Sequence, residues 1–250
     1  MKNYQLKNIA ILLLFAVTLF TAGCKKDKKT EPTYTCAACK TTPDALAANN
    51  TISKGIYKGV VVGSTGVLTI NVQNSGATTN STLVLDGTTI ELASSTPIVA
   101  GEAFEGEFTG TNGGQTFSFT FSVNANGSEP ETSDYSIPGH PTVAFFVIKE
   151  TSDNLVKCYE GTTAGKKDNG NVQGSALNVV TSGKTNSWFA LSKDNSSGEI
   201  GGALGSISGN TLTCDCGPQT TVTMTIAGDA LTGTYKGEDN HGTITAKRTL

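Results

Sequence analysis

A strict two-residue alternation of apolar and hydroxyl side chains is the feature that most constrains how this chain can fold. In the segment 116–123, Phe117, Phe119, Phe121 and Val123 alternate with serine or threonine. Because successive side chains of a β-strand point to opposite faces, this spacing places all four apolar side chains on one face. We therefore expect a sheet with one buried face and one hydrated face.

The same alternation recurs along the chain after residue 55, where no segment shows a sustained helical period. Glycine accounts for 29 of the 250 residues, well above an average share of about 7 %. This composition is typical of short strands joined by tight turns, and we predict an all-β fold of about fourteen or fifteen antiparallel strands. Further alternating segments are Leu68/Ile70/Val72, Leu83/Leu85, Val222/Met224/Ile226 and Ile244/Ala246.

Internal repetition indicates that this β-body is duplicated. Tyr57-Lys-Gly59 opens a first copy as Tyr159-Glu-Gly161 opens a second. Further matches follow in the same order: turn residues 73–76 with 195–198, turn residues 85–87 with 207–209, and the strand-like segment 104–110 with 231–237. The chain therefore divides into a first meander repeat at 55–150 and a second at 151–250.

The two repeats are expected to form two small barrels or sandwiches, or one larger barrel, closed so that no long strand edge is left open. The segment 143–148 is apolar on both faces, so we place it centrally, where the two halves meet. The glycine-framed segment 233–237 resembles the short-looped meander strands of lipocalin-like and streptavidin-like barrels. This resemblance covers the strand pattern only and implies no ligand-binding residues.

The N-terminus has the pattern of an export signal at residues 1–23. Lysines near the start precede an apolar run at 9–20, which is shorter than the roughly 20 residues of a membrane-spanning helix. Small residues and Cys24 follow, and Thr21 stands where a leucine is usual. This junction resembles the lipobox of bacterial lipoproteins, which implies cleavage before Cys24 and a diacylglycerol on its thiol. An ordinary secretory signal with a chance cysteine is the alternative.

The lipoprotein resemblance also implies a location in the cell. Lys25 follows the cysteine, whereas an aspartate there is associated with retention in the inner membrane, so we expect the outer membrane, on either face. Residues 24–54 are expected to be a lipidated N-terminus and flexible tether, with one short helix around 44–48. The net charge of −3, with no basic stripe beyond the lysine-rich stub at 25–29, argues against nucleic-acid binding.

Five further cysteines follow Cys24, and disulfides are expected among them in an oxidising compartment, with one cysteine left over. The preferred arrangement pairs Cys36 and Cys39 with Cys214 and Cys216, in either order, and pairing between Cys36 and Cys39 is an alternative. There are two other interpretations of these four cysteines: a zinc site formed by four thiolates, and redox catalysis. Cys158 is expected to be a small buried apolar residue.

The residues that could support catalysis lie in unpromising contexts. His140 and His241 are flanked by turn residues, and a general base must be held beside its substrate. Glu105 and Glu107 point to one face of one strand, whereas a glycosidase needs two carboxyl groups across a cleft. We therefore predict no catalytic residue, no cofactor and no metal.

Aromatic residues provide the candidates for ligand binding. Trp188 is the only tryptophan and stands beside Phe189, so one of the two rings faces away from the core if the sheet is hydrated on one side. Trp188 is a candidate stacking platform, and Phe117, Phe119 and Phe121 are candidate walls of a ligand cavity. In the alternative, Trp188 closes a core and Phe189 covers an edge.

These observations lead to three hypotheses on function. The preferred one is a non-enzymatic, lipid-anchored envelope protein whose β-body binds or displays a small apolar molecule, a glycan or a protein partner. The second is a structural spacer or interaction module without a pocket. The third is a metal-binding or redox protein based on the cysteines.

Overall fold

The computed structural model describes residues 34–217 and 219–250. The expected signal peptide at 1–23 and the lipidation residue Cys24 lie outside the described residues. No helix in the described part of the chain is long and apolar enough to cross a membrane.

Sixteen antiparallel strands occupy the described residues, close to the number that the sequence predicts. A short 3-10 helix at Ala47–Asn49 precedes them. The first half contains β1 (Gly55–Val62), β2 (Gly66–Val72), β3 (Thr79–Leu85), β4 (Thr88–Ala93), β5 (Phe104–Asn112), β6 (Gln115–Val123), β7 (Glu131–Ser136) and β8 (Ala144–Glu150). The second half contains β9 (Val156–Lys167), β10 (Val172–Ser182), β11 (Ser187–Asp194), β12 (Ile200–Ser208), β13 (Thr211–Asp215), β14 (Thr221–Ala227), β15 (Ala230–Lys236) and β16 (Asn240–Arg248).

The first eight strands form one sheet in the order β7-β6-β5-β4-β3-β2-β1-β8. Its two end strands, β7 and β8, are not paired, but they approach each other, because Tyr135 on β7 stacks on Phe145 on β8 with 4.7 Å between ring centroids. The sheet is thus curled almost into a barrel, with a seam between β7 and β8.

The second eight strands form a closed barrel, in which β9 pairs with both β10 and β16. The all-β prediction is confirmed, and the body consists of two eight-stranded barrel-like sheets rather than one larger barrel. Closure leaves the second sheet without an end strand, although the short β13 pairs with β12 only at residues 206–208.

The interior of the first sheet is filled by the side chains that the alternation places on one face. Phe119 and Phe121 are fully buried, and Phe119 stacks on Phe108 with 5.2 Å between ring centroids. Tyr57 packs against Phe121 at 4.9 Å. These rings form a dense core, as expected of a small barrel whose interior is occupied by side chains.

A separate apolar cluster joins the two halves. All eight residues of β1 are buried, since one face contributes to the first core and the other faces the barrel. On β8, Phe145 and Val147 point into the first core, whereas Phe146 stacks on Phe189 of the barrel at 3.7 Å. The apolar segment at 143–148 therefore lies where the halves meet, as its two apolar faces predict.

The halves correspond in topology more closely than in the detailed sequence matches. Tyr57 on β1 and Tyr159 on β9 occupy the same position, because β1 pairs with β8 as β9 pairs with β16. The matched segments 104–110 and 231–237 instead lie on the fifth strand of one half and the seventh of the other. Such matches reflect turn and strand chemistry that recurs in any meander of hairpins.

Residues 34–54 differ from the expected flexible tether. Ala45, Asn49 and Ser53 are buried, and the backbone N–H of Asp44 donates to the Glu150 carboxylate at 2.7 Å. The segment is held against the body because its backbone groups find buried partners there. The 3-10 helix overlaps the end of the expected helix at 44–48.

Candidate functional site

The candidate site is a cavity of about 280 Å³ inside the closed barrel. Its mouth is lined by Gln173, Asp194, Thr220 and Asn240, which lie at or beside strand ends. All four therefore border the end of the barrel where β9–β10, β11–β12, β13–β14 and β15–β16 are connected. The mouth of a β-barrel is a common place for a small-molecule site.

The deeper part of the cavity is mostly apolar, with Thr163, which is paired with Ile244, as a polar exception. Leu177, Trp188, Ala190, Met224 and Ile244 line it, each at an inward position of its strand. All five are at least 90 % buried. These side chains provide an apolar floor beneath a polar mouth.

Two aromatic rings line the cavity, and each lies against a glycine on the neighbouring strand: Trp188 is paired with Gly205 and Tyr235 with Gly242. An added Cβ on Gly205 would lie 2.6 Å from Nε1 of Trp188, and one on Gly242 would lie 2.6 Å from Cε1 of Tyr235. Gly165 likewise leaves space for the Tyr235 hydroxyl. The glycines let both rings lie close to the barrel backbone, which keeps the space between them open.

The mouth is polar, with Asp194 in the cavity lining and Lys167 beside Asn240 at the rim. Asp194 is the one charged residue among the described residues that line the cavity. Its carboxylate accepts hydrogen bonds from the Ser196 hydroxyl at 2.6 Å and from the backbone N–H groups of Ser196 and Ser197 at 2.8 and 2.7 Å. These bonds, led by the one from the Ser196 hydroxyl, hold the pKa of Asp194 well below its usual range. Asp194 therefore stays ionised at neutral pH.

The opposite end of the barrel is covered by residues 34–40. The Tyr34 hydroxyl donates to the backbone carbonyl of Arg248 at 3.1 Å, and the backbone N–H of Cys36 donates to Asp229 at 2.9 Å. Arg248 pairs with Asp229 at 3.2 Å and donates to the carbonyl of Lys40. The N-terminal segment thus packs beside Asp229 and Arg248, at the end of the barrel that lies away from the cavity mouth.

A buried ionic cluster ties residues 34–54 to the two halves. Lys58 and Glu150 are both nearly or fully buried and pair at 2.8 Å. Lys58 also pairs with Asp44 at 3.0 Å, and Glu150 accepts the backbone N–H of Val156 at 3.2 Å. Each charge has several partners, so the cluster is a satisfied structural network.

The aromatic candidates from the sequence separate in the structure. Trp188 lines the cavity, and its Nε1–H donates to the carbonyl of Thr213 at 3.1 Å. Phe117, Phe119 and Phe121 instead fill the core of the first sheet. The prediction that they line a ligand cavity is therefore wrong. They pack tightly because neighbouring strands contribute further aromatic rings to the same interior.

The structure corrects the expected disulfide arrangement. Cys36 pairs with Cys39, and Cys214 pairs with Cys216. The first pair lies beside Asp229, which follows β14, whereas the backbone N–H of Cys216 donates to Thr220, which precedes β14. A strand of this length spans roughly 20 Å, far beyond the reach of a disulfide. The alternative of local pairing within Cys36–Cys39 is what the structure contains.

The remaining candidate residues are dispersed. Cys158 is unpaired and fully buried, as expected, with its Sγ 3.5 Å from the carbonyl of Gly59. His140 lies 3.4 Å from Asp86, and His241 lies 3.8 Å from Asp168. Within residues 34–217 and 219–250, no group of three or more His, Cys, Asp or Glu side chains is arranged to hold a metal ion.

The polar cavity residues were missed by sequence reasoning. Gln173, Ser175 and Ser192 occupy inward positions where the alternation predicts apolar side chains. The only sign of these residues in the sequence was that polar side chains interrupt an apolar face near the end of a strand.

A comparison with known proteins finds no relative. No protein-family model matches the chain, and no curated protein or solved structure matches it significantly.

Proposed function

We propose that this protein is a non-enzymatic, lipid-anchored protein of the bacterial outer membrane whose closed barrel binds a small molecule. The observation that carries the proposal is the cavity of about 280 Å³ with its apolar floor and polar mouth. Such a combination, a mostly apolar pocket with a few polar groups that orient a ligand, is typical of small-molecule sites.

The contrast between the two halves supports binding over a purely structural role. The halves have the same strand number, yet rings such as Phe119 and Phe121 fill the first interior, whereas the second retains a cavity. An unfilled interior lacks packing contacts and lowers stability. A spacer would gain from filling both interiors, so the retained cavity favours a ligand.

The proposed lipid anchor and membrane location rest on the N-terminal sequence. The resemblance of residues 1–24 to a lipoprotein signal supports a lipid on Cys24, whose acyl chains would hold the protein at the membrane. Substitution Cys24→Ser is expected to abolish labelling by a radioactive fatty acid and to release the protein from the membrane fraction. Unchanged labelling and membrane association would exclude this anchor.

Paired native and denaturing mass spectrometry tests the binding function. The sample is a soluble chain that begins at Thr30, which contains the whole compact unit of residues 33–250, secreted without lipid into an oxidising periplasm. We expect excess native mass that disappears on denaturation, and no excess in Ala203→Leu, which places a larger side chain on the cavity wall. Thr234→Leu is the matched control, because Thr234 is exposed on the outside of β15.

A native mass equal to the denatured mass in the wild-type chain would count against the binding function. The structural spacer would then be the better account. Excess mass that persists in Ala203→Leu would place the ligand elsewhere and would also contradict the proposed site.

A further inference from the structure

We infer that the barrel cavity is built for an uncharged ligand with a planar, apolar ring system, rather than for a saccharide or a fatty acid. This rests on the proposed binding function and specifies the ligand class. It follows from the position of two aromatic rings, the chemistry of the floor, the charge of the cavity lining and the volume of the cavity.

The two aromatic side chains come from opposite sides of the barrel. Trp188 is on β11 and Tyr235 is on β15, which are four strands apart in the closed order of eight. Both rings line the cavity and lie close to glycines of the wall. Aromatic rings contact other planar rings favourably in offset or edge-to-face geometry, by about 0.5–1.5 kcal/mol beyond the area that they bury.

The floor is poorly suited to a saccharide. A sugar carries hydroxyl groups around its ring, and each hydroxyl that leaves water needs a hydrogen-bond partner. The deep lining instead presents Leu177, Met224 and Ile244. Polar groups are concentrated toward the mouth, as at Gln173 and Asn240. A ligand that matches this distribution is apolar over most of its surface and polar at one end.

The charges of the cavity lining disfavour anions. The described lining contains no lysine, arginine or histidine, and its one charged group is the ionised Asp194; Lys167 lies outside this lining, beside Asn240 at the rim. A carboxylate inside the cavity would be repelled by Asp194 and would leave water without a cationic partner in the lining. Fatty acids and other anionic ligands are therefore poor candidates.

The volume sets the size of the ligand. An apolar cavity of about 150 Å³ holds one benzene molecule, so a cavity of about 280 Å³ holds roughly ten bonded non-hydrogen atoms. Two fused six-membered rings have this size. A 16-carbon acyl chain exceeds it and would extend out of the mouth.

Three probes of similar size separate the ligand classes: 2-naphthol, its anionic analogue 2-naphthoate, and methyl β-glucoside. Each is titrated at pH 7 into the same soluble chain, with calorimetry for the dissociation constant and NMR for the site. Trp188 is the only tryptophan, so one indole N–H resonance reports on the cavity wall. We expect 2-naphthol to shift this resonance saturably and to bind at least about tenfold more tightly than the other two probes.

Variants connect the binding to the cavity. We expect Tyr235→Ala to weaken 2-naphthol binding at least about fivefold and Ala203→Leu to abolish it. Thr234→Ala and Thr234→Leu, on the outside of the same strand as Tyr235, should bind 2-naphthol as the wild type does, which shows that the barrel tolerates substitution there.

Two results would overturn the inference and leave the proposed function standing. The first is a tighter or equal affinity for 2-naphthoate or methyl β-glucoside that Ala203→Leu removes. The second is no binding of 2-naphthol by a chain from which a co-purified ligand has been removed by unfolding and refolding. No binding of any probe together with no excess native mass would overturn both the ligand class and the binding function.

Discussion

Lys149 and Arg248 occupy the same position in the two halves of the molecule. Lys149 lies opposite Tyr57 in the pairing of β8 with β1, and Arg248 lies opposite Tyr159 in the pairing of β16 with β9. Each cation donates hydrogen bonds to backbone carbonyls at its end of the sheet. The two halves therefore share a cationic side chain at the same position, which binds backbone carbonyls of the segments beside it.

The position of Lys149 predicts a pH-dependent contribution to stability. Burial lowers the pKa of Lys149 from 10.5 to about 8. Between these two values the unfolded chain binds a proton that the folded chain has released, so the contribution of Lys149 to the free energy of unfolding rises with pH. We expect the stability of the wild type relative to Lys149→Met to increase from about pH 8 to pH 10, measured by denaturant unfolding.

Lys236→Met is the control for this series, because Lys236 is exposed at the end of β15. Its stability difference from the wild type should stay constant over the same pH range. A constant difference for Lys149→Met as well would contradict the prediction.

The buried pair of Lys58 and Glu150 predicts a large loss of stability on neutralisation. Glu150 is fully buried and accepts hydrogen bonds from Lys58 at 2.8 and 3.0 Å. Glu150→Gln would remove the negative charge that balances the buried Lys58 ammonium. Such a loss typically lowers the free energy of unfolding by about 3–5 kcal/mol. Urea denaturation gives the difference directly.

The double variant Lys58→Met/Glu150→Gln removes both charges and serves as the control. It should be less destabilised than the sum of the two single variants, because neither charge is left alone. Additive losses would show that the two residues do not act as a pair.

The environment of Cys158 predicts an unreactive thiol. Burial raises the pKa of this thiol far above its usual range, so little thiolate forms. In the soluble chain from Thr30, a thiol reagent should label no cysteine under native conditions and one after unfolding, since the other four cysteines are paired. Rapid native labelling, or more than one labelled cysteine in denaturant, would contradict the structure.

Asn178 predicts a polar contribution to the contact between the halves. Its side chain is fully buried, and its amide donates to the carbonyls of Val61 and Ser64. Asn178→Ala leaves these carbonyls without their donor, and we expect a loss of about 1–3 kcal/mol in thermal or urea unfolding. Asn195→Ala, at an exposed loop position, should be within about 0.5 kcal/mol of the wild type. An equal effect of both substitutions would exclude this role for Asn178.

Local patterns in the sequence predicted the sheets well. The alternation at 116–123 identified the buried face of β6, because a two-residue period depends only on strand geometry. The two apolar faces of 143–148 similarly placed β8 between the halves. These features are encoded within a few consecutive residues, so a single sequence reveals them.

Features that depend on distant contacts could not be predicted in the same way. The separation of Cys36 and Cys39 from Cys214 follows from their docking beside Asp229, a contact between residues 193 apart in the chain. The docking of Asp44 requires a carboxylate, Glu150, that lies about a hundred residues away in the chain. The cavity itself is a property of how completely eight strands fill one interior, which no single strand specifies.

The two interiors are expected to differ in local stability: the filled interior of the first sheet is the more stable, and the hollow interior of the second is the more easily opened. A dense aromatic core around Phe119 and Phe121 opens only with large-scale unfolding, whereas a wall beside empty space has fewer contacts to hold it closed. Backbone amides of the barrel near the cavity should therefore exchange hydrogen with solvent sooner than those of β6. An occupied cavity would slow that exchange, so hydrogen exchange in the second half would report on occupancy while exchange in β6 stayed unchanged.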